Sequence, residues 1–221
     1  MTVIVALTGA AVVAGLFEFN RSAVSYNLYI LGNLIGLIFV PMLAILLVFR
    51  EEPGKFGLVP GSSRQAWYFV GAAFLAMLAG CVYASNLRVF QVHYPLFRLF
   101  PEFAEAFSRY PLENPWKVAP WMMLYAEASY GLYMFCWEFF FRGYLLFGLS
   151  RSIGWWAVLV QAAAFCLLHL GKPPLEMILS FPAGIILGML ALNAKSFVPG
   201  FVLHWAVSVS LNVMVVMNRP Q

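Results

Sequence analysis

Apolar residues run in blocks of about 20 along nearly the whole chain, the length a helix needs to cross a bilayer. The first block predicts a helix over 3–17, the second one over 26–49 with Pro41 as a kink, and the third one over 66–85. A polar, turn-rich stretch from Arg50 to Arg64 separates the second from the third and marks an aqueous loop. Residues 86–116 break the pattern. They mix Arg88, Arg98, Glu102, Glu105, Arg109 and Glu113 with aromatics and prolines, which predicts an interfacial segment with a short amphipathic helix over 101–110. Four further blocks predict helices over 120–149, 155–170, 175–193 and 197–217. The first of these is longer than the hydrocarbon core, at about 45 Å for some 30 residues. It must tilt, kink near Gly131 or project into water.

The expected architecture is an all-α, polytopic transmembrane bundle of seven or eight helices. Composition agrees: 63% of the 221 residues are hydrophobic and 10% are charged, against about 25% charged in soluble domains. The apolar run at the N-terminus lacks the basic flank of a signal peptide, so it is expected to be the first membrane helix. The helices form one integrated domain, in which residues 1–115 are a transmembrane and interfacial scaffold and residues 116–221 carry the chemistry. The formal net charge of +4 is scattered, without the basic stripe that would suit nucleic acid. Basic residues in the loops divide five (Arg50, Lys55, Arg64, Arg151, Lys195) against seven (Arg21, Arg88, Arg98, Arg109, Lys117, Lys172, Arg219), which leaves the orientation undecided. Cys81, Cys136 and Cys166 sit in apolar segments without paired spacing and read as packing residues.

Chemistry is suggested by polar residues at membrane depth. A charge at the centre of a membrane helix costs about 2.5–3.5 kcal/mol on insertion scales, so such residues pair, face a protein interior or do work. Glu127, Glu138, Arg142, His169, Glu176 and His204 fall in this class, all in the second half of the chain. The chain has no aspartate, so any carboxylate chemistry must use glutamate. Glu138 and Arg142 are four apart, a spacing that puts them on one helix face within pairing reach. His169 and His204 lie on two other helices and are expected to share a site with that pair. Glu127 is expected at the water interface or along the same cavity, and His93 is expected to stand apart.

These residues resemble the CPBP family, which includes the CAAX prenyl endopeptidases of the Rce1 type and bacteriocin-processing enzymes. That family has Glu-Glu-x-x-x-Arg on one helix, Phe-x-x-x-His on the next and His-x-x-x-Asn near the end. Here Glu138 and Arg142 match the second Glu and the Arg, Phe165 and His169 match the second motif, and His204 matches the third. Two positions depart: Trp137 stands where the family has its first Glu, and Ser208 stands four residues after His204, with Asn212 one turn later.

The resemblance implies a glutamic-type intramembrane endopeptidase acting on a membrane-associated, lipidated or leader-bearing substrate. Glu138 and His169 would activate a water, with Glu176 assisting. Arg142 would orient Glu138, and His204, with Ser208 or Asn212, would hold the oxyanion. No cofactor is implied; two histidines and a glutamate could bind zinc in principle, but there is no His-Glu-x-x-His. The implied location is a bacterial or archaeal cell membrane, with the bilayer and a protein or peptide substrate as partners and no nucleic acid. The competing expectation is an inactive family member, an immunity or scaffold protein, supported by Trp137. A proton-coupled transporter is a third, without an internal repeat to support it.

Overall fold

The hydrophobic blocks become helices with ends close to those expected. The computed structural model describes residues 1–61 and 63–218. Helix α1 spans Thr2–Ser22 and α2 spans Tyr26–Phe49. Helix α3 is Arg64–Ser85, started by the Ser63 hydroxyl, which accepts from Ala66 N at 3.2 Å. Helix α5 covers Pro120–Glu138, passes through π-helical turns at Phe139–Leu145 and continues as α6 over Leu146–Ile153. Then come α7 (Trp156–Leu167), α8 (Pro174–Ala194) and α9 (Val198–Asn218). Five of these, α1, α2, α3, α8 and α9, are long and apolar enough to cross a membrane, and the shorter α7 is apolar too. The protein is an integral, multi-pass membrane protein.

The structure corrects the expected amphipathic helix over 101–110. A six-residue helix, α4 (Arg88–His93), forms earlier, and short 3-10 turns follow at Leu96–Leu99 and Pro101–Phe103. The reason is aromatic packing. Phe97, Phe100 and Phe103 surround the buried Tyr26 ring, with centroids 6.5, 5.4 and 5.0 Å away. Residues only three apart reach one target best on a tight turn, which a continuous α-helix would rotate away from it.

Pro41 does not break α2. The helix carries π-helical turns on both sides of it, Ile35–Phe39 and Ala44–Phe49, which absorb the hydrogen bond a proline removes. The longest expected helix also gives way at a π segment, centred on Arg142 and not on Gly131.

Two loops clasp opposite ends of the bundle. At one end Glu51 pairs with Arg151 at 2.6 Å, Phe197 N donates to Gly57 O at 3.3 Å, and the Ser196 hydroxyl donates to Val59 O. This groups the Arg50–Arg64 loop with Arg151 and Lys195, as the charge count grouped them. At the other end the interfacial segment folds back on α2: Ser25 Oγ and Tyr26 N both donate to Glu102 Oε1, at 2.6 and 2.9 Å. Arg219 lies outside the described residues.

Close contacts between helices use small residues, as expected where lipid supplies no hydrophobic drive between them. Gly184 and Gly188 sit one turn apart on α8. A Cβ on Gly184 would lie 3.0 Å from Ala162 Cα of α7, and one on Gly188 would lie 2.7 Å from Gln161 Nε2. Gln161 Nε2 donates across the interface to Gly184 O at 2.8 Å. Helix α9 closes on α5 the same way, where Gly131 leaves room for the Trp205 ring. The cysteines are free, with Cys81 and Cys136 buried in this packing.

Candidate active site

Glu138 ends α5 at the point where the helix loosens into its π turns, and Arg142 lies within those turns. Both side chains are fully buried, and Arg142 Nη1 donates to Glu138 Oε1 at 3.1 Å. Pairing of this kind is what makes two charges tolerable away from water. His204, on α9, completes the group: its Nδ1 lies 2.8 Å from the same Glu138 oxygen. A carboxylate only accepts, so Nδ1 carries the proton in this bond. Gly200, one turn earlier on α9, lets the helix approach; a Cβ there would sit 3.4 Å from Glu138 Oε2.

Three polar atoms of the ion pair have no hydrogen-bond partner: Glu138 Oε2, Arg142 Nε and Arg142 Nη2. Buried polar groups are nearly always satisfied, and an orphan costs about 1–3 kcal/mol. One acceptor and two donors are therefore free for a water or a polar substrate group.

His169 follows the C-terminal end of α7. That helix has 12 residues and rises about 18 Å, less than the hydrocarbon thickness of about 30 Å. The turn carrying His169 is thus reached before the helix has spanned the core. Its Nδ1 bonds to Phe165 O at 2.8 Å. Because a carbonyl can only accept, Nδ1 is the protonated nitrogen and Nε2 keeps its lone pair in the neutral ring.

Phe165 joins the parts. The Arg142 guanidinium stands 4.0 Å above its ring centroid, the His169 ring is 4.4 Å away, and the His204 ring is 5.9 Å away. Groups from α5, α7, α9 and the π turn therefore meet around one benzene ring. Trp137, in place of the expected first Glu, packs its indole against Phe165 and His169 at 5.7 and 5.8 Å.

Glu176, in the first turn of α8, faces His169 from the other side, with Oε1 3.9 Å from His169 Nε2. Lys172 Nζ donates to that same oxygen at 2.9 Å, and Tyr94 Oη donates to Oε2 at 2.6 Å. Tyr94 comes from the interfacial segment and brings His93 with it, the two rings meeting edge to face at 4.8 Å. His93 thus adjoins the site, contrary to expectation. Burial and the nearby Lys172 cation push its pKa down. A cleft of about 660 Å³ runs past His93 and Lys172.

The expected helpers on α9 are placed elsewhere. Ser208 Oγ donates back to His204 O at 2.9 Å, a local bond that occupies the hydroxyl. Asn212 donates to both oxygens of Glu127, at 3.1 and 3.2 Å. Eight residues past His204 it is about 12 Å further along the axis, level with Glu127 and not with Glu138. Glu127 is likewise bound into that separate contact, where Trp205 Nε1 also donates to its carbonyl at 3.2 Å. Among the described residues, no three His, Cys, Asp or Glu side chains converge as a metal would require; His204 and His169 turn to different carboxylates.

The residues just described fall almost wholly in one stretch. Residues 118–210 match the family described as Type II CAAX prenyl endopeptidase Rce1-like. This stretch of the chain belongs to that family. The Rce1-like stretch holds Glu138, Arg142, Phe165, His169, Glu176 and His204; Tyr94, His93 and Asn212 lie beyond it. Rce1-like proteins are membrane proteases, and this chain has the corresponding broad character of a CAAX-type intramembrane protease. No curated protein and no solved structure matches the chain.

The four-residue spacing pointed to Glu138 and Arg142, and polar character at membrane depth with the motif resemblance pointed to His169 and His204. Neither gave a sign of Tyr94. A buried tyrosine near a membrane face is unremarkable in sequence, and only the fold of the aromatic segment brings it to Glu176.

Proposed function

We propose that the protein is an intramembrane endopeptidase that hydrolyses a peptide bond of a membrane-associated, lipidated or leader-bearing protein by attack of an activated water. The observation that carries this reading is the fully buried Glu138–Arg142 pair, joined by part-buried His204 and set beside His169, with unspent donors and an unspent acceptor around one ring. A structural ion pair needs neither the second imidazole nor the free polar atoms.

The geometry supports the following steps. His169 Nε2, kept as an acceptor by the Phe165 carbonyl, takes a proton from water as the oxygen attacks the carbonyl carbon. Arg142 Nη2 supplies positive charge for the developing oxyanion, and the His204 ring, oriented by Glu138, stands beside it. Such contacts are worth about 3–4 kcal/mol each in a water-poor site. Collapse of the tetrahedral intermediate breaks the C–N bond, and the proton held by His169 passes to the leaving amine. Glu138 therefore anchors the cationic side of the site, since its Oε1 already serves two donors.

The test is to replace Glu138, His169 and His204 singly with Ala and follow processing of a membrane-anchored substrate in cells at matched protein level. Processing that stops in each variant supports the peptidase; processing that survives all three removes it. The second reading, an inactive member serving as a membrane immunity or scaffold protein, is favoured by Trp137 alone. It predicts that the biological effect of the chain persists in the same three variants.

A further inference from the structure

Trp137 removes a carboxylate from the motif helix, yet His169 still faces one. Neutral His169 presents the Nε2 lone pair toward Glu176 Oε1, 3.9 Å away. Both atoms are acceptors when the carboxylate is ionised, so they do not bond to each other. A single water that donates one O–H to each satisfies both. At ordinary hydrogen-bond lengths of about 2.8 Å, the two bonds subtend about 90°, near the angle of water itself. The oxygen lone pairs then point away from both acceptors, toward whatever carbonyl lies against them.

We propose that Glu176 is the carboxylate that acts with His169 on the attacking water, in place of the glutamate that Trp137 displaces, and that Tyr94 is its positioning residue. This rests on the peptidase reading and deepens it. The carboxylate comes from the first turn of α8, so the catalytic pair is assembled across the α7–α8 turn and not along α5. Two donors fix its rotamer. Lys172 Nζ holds Oε1, and Tyr94 Oη, buried beneath the interfacial segment, holds Oε2. Lys172 is a part-exposed cation four residues before Glu176. Tyr94 reaches in from outside the Rce1-like stretch and ties the scaffold half of the chain to the water-binding pair. As the water attacks, one proton moves to His169 Nε2, the new C–O bond forms, and Glu176 keeps its hydrogen bond to the remaining O–H. The proton on His169 leaves with the amine when the C–N bond breaks, so the pair ends as it began.

The experiment uses the full chain reconstituted in lipid nanodiscs, with a fluorescence-quenched farnesylated peptide ending in a CAAX sequence as the probe. Glu176→Gln is expected to lower kcat by about 10²–10⁴-fold, the range of a general acid–base contribution. Tyr94→Phe, which removes one hydroxyl, is expected to lower kcat about tenfold with KM within twofold of wild type. In Glu176→Ala, added formate restores part of the lost turnover. A purely structural Glu176 would lower the yield of folded protein and leave kcat and formate sensitivity unchanged. As a readout independent of the peptide, ¹⁵N-histidine spectra of the chain are expected to show the His169 Nε2 resonance moving in Glu176→Gln and in Tyr94→Phe. Wild-type cleavage that persists at wild-type kcat in Glu176→Gln overturns this inference and leaves the peptidase reading standing. An unmoved His169 resonance in both variants overturns it whether or not the peptide is cleaved. A wild-type chain that leaves the peptide intact, together with processing that survives loss of Glu138, His169 and His204 in cells, overturns the peptidase reading itself.

Discussion

Glu138 and Arg142 are each 0% exposed, so their removal separates the cost of an uncompensated charge from the value of the pair. Glu138→Leu leaves the guanidinium buried with no carboxylate. Arginine cannot shed its proton to escape, so the penalty should approach the 3–5 kcal/mol of a broken buried pair. Stacking on Phe165 at 4.0 Å is present before and after the change, so it cancels from the comparison and keeps the guanidinium in place. The expected destabilisation is therefore about 3–5 kcal/mol. Arg142→Met should cost less, because Glu138 still has His204 at 2.8 Å and the two can share a proton to reduce the buried charge. The double variant Glu138→Leu with Arg142→Met removes both charges and should recover most of the loss, since apolar replacements of buried pairs are often near neutral. Equilibrium unfolding of the three variants in mixed detergent micelles measures all three values. If the two single losses simply add in the double variant, the pair is not energetically coupled and this account of the site is wrong.

Further outcomes follow from particular contacts. Gly131→Ala puts a Cβ 2.6 Å from the Trp205 ring and should cost about 1–3 kcal/mol by overpacking; the combination with Trp205→Leu should relieve it, as unfolding midpoints would show. Gln161→Leu removes one bond across α7 and α8 but also a buried oxygen without a partner. Stability should stay within about 1 kcal/mol of wild type, since bonds between membrane helices average about 0.6 kcal/mol. The Ser25 hydroxyl, with the Tyr26 amide, holds the Glu102 carboxyl below its usual range. Its folded-state pKa is depressed, so its contribution is present above the usual glutamate value and fades as pH falls through that value toward the lower one. Thermal unfolding from pH 6 to pH 3 should show a steeper fall in wild type than in Glu102→Gln.

The membrane helices were legible because burial in lipid writes long apolar blocks into a sequence, and the ends found for α2, α3, α8 and α9 lie within two residues of those expected. The π turns were not legible. They change which carbonyl each N–H reaches and leave the residue types unchanged, so Phe139–Leu145 reads as ordinary helix. The pairing of Glu138 with Arg142 was visible as a four-residue spacing, and His204 as an imidazole at membrane depth. The bond of Asn212 to Glu127 was not legible, because spacing from His204 names a face of α9 and gives no partner at that depth. His93 and Tyr94 were out of reach for a different reason. Their approach to Glu176 is a contact between residues 82 apart for Tyr94, set by how an irregular aromatic segment folds and not by any period.

The Phe165 ring has a consequence for how the second motif should be understood. The ring lies 4.0 Å from the guanidinium and 4.4 and 5.9 Å from the two imidazoles, so one phenyl group touches both the cation and the proton acceptor. An aliphatic residue of similar bulk would fill the same volume but present no quadrupole to the arginine. Selection at this position should therefore act on aromaticity as well as size, and a leucine there should leave the buried guanidinium without its ring.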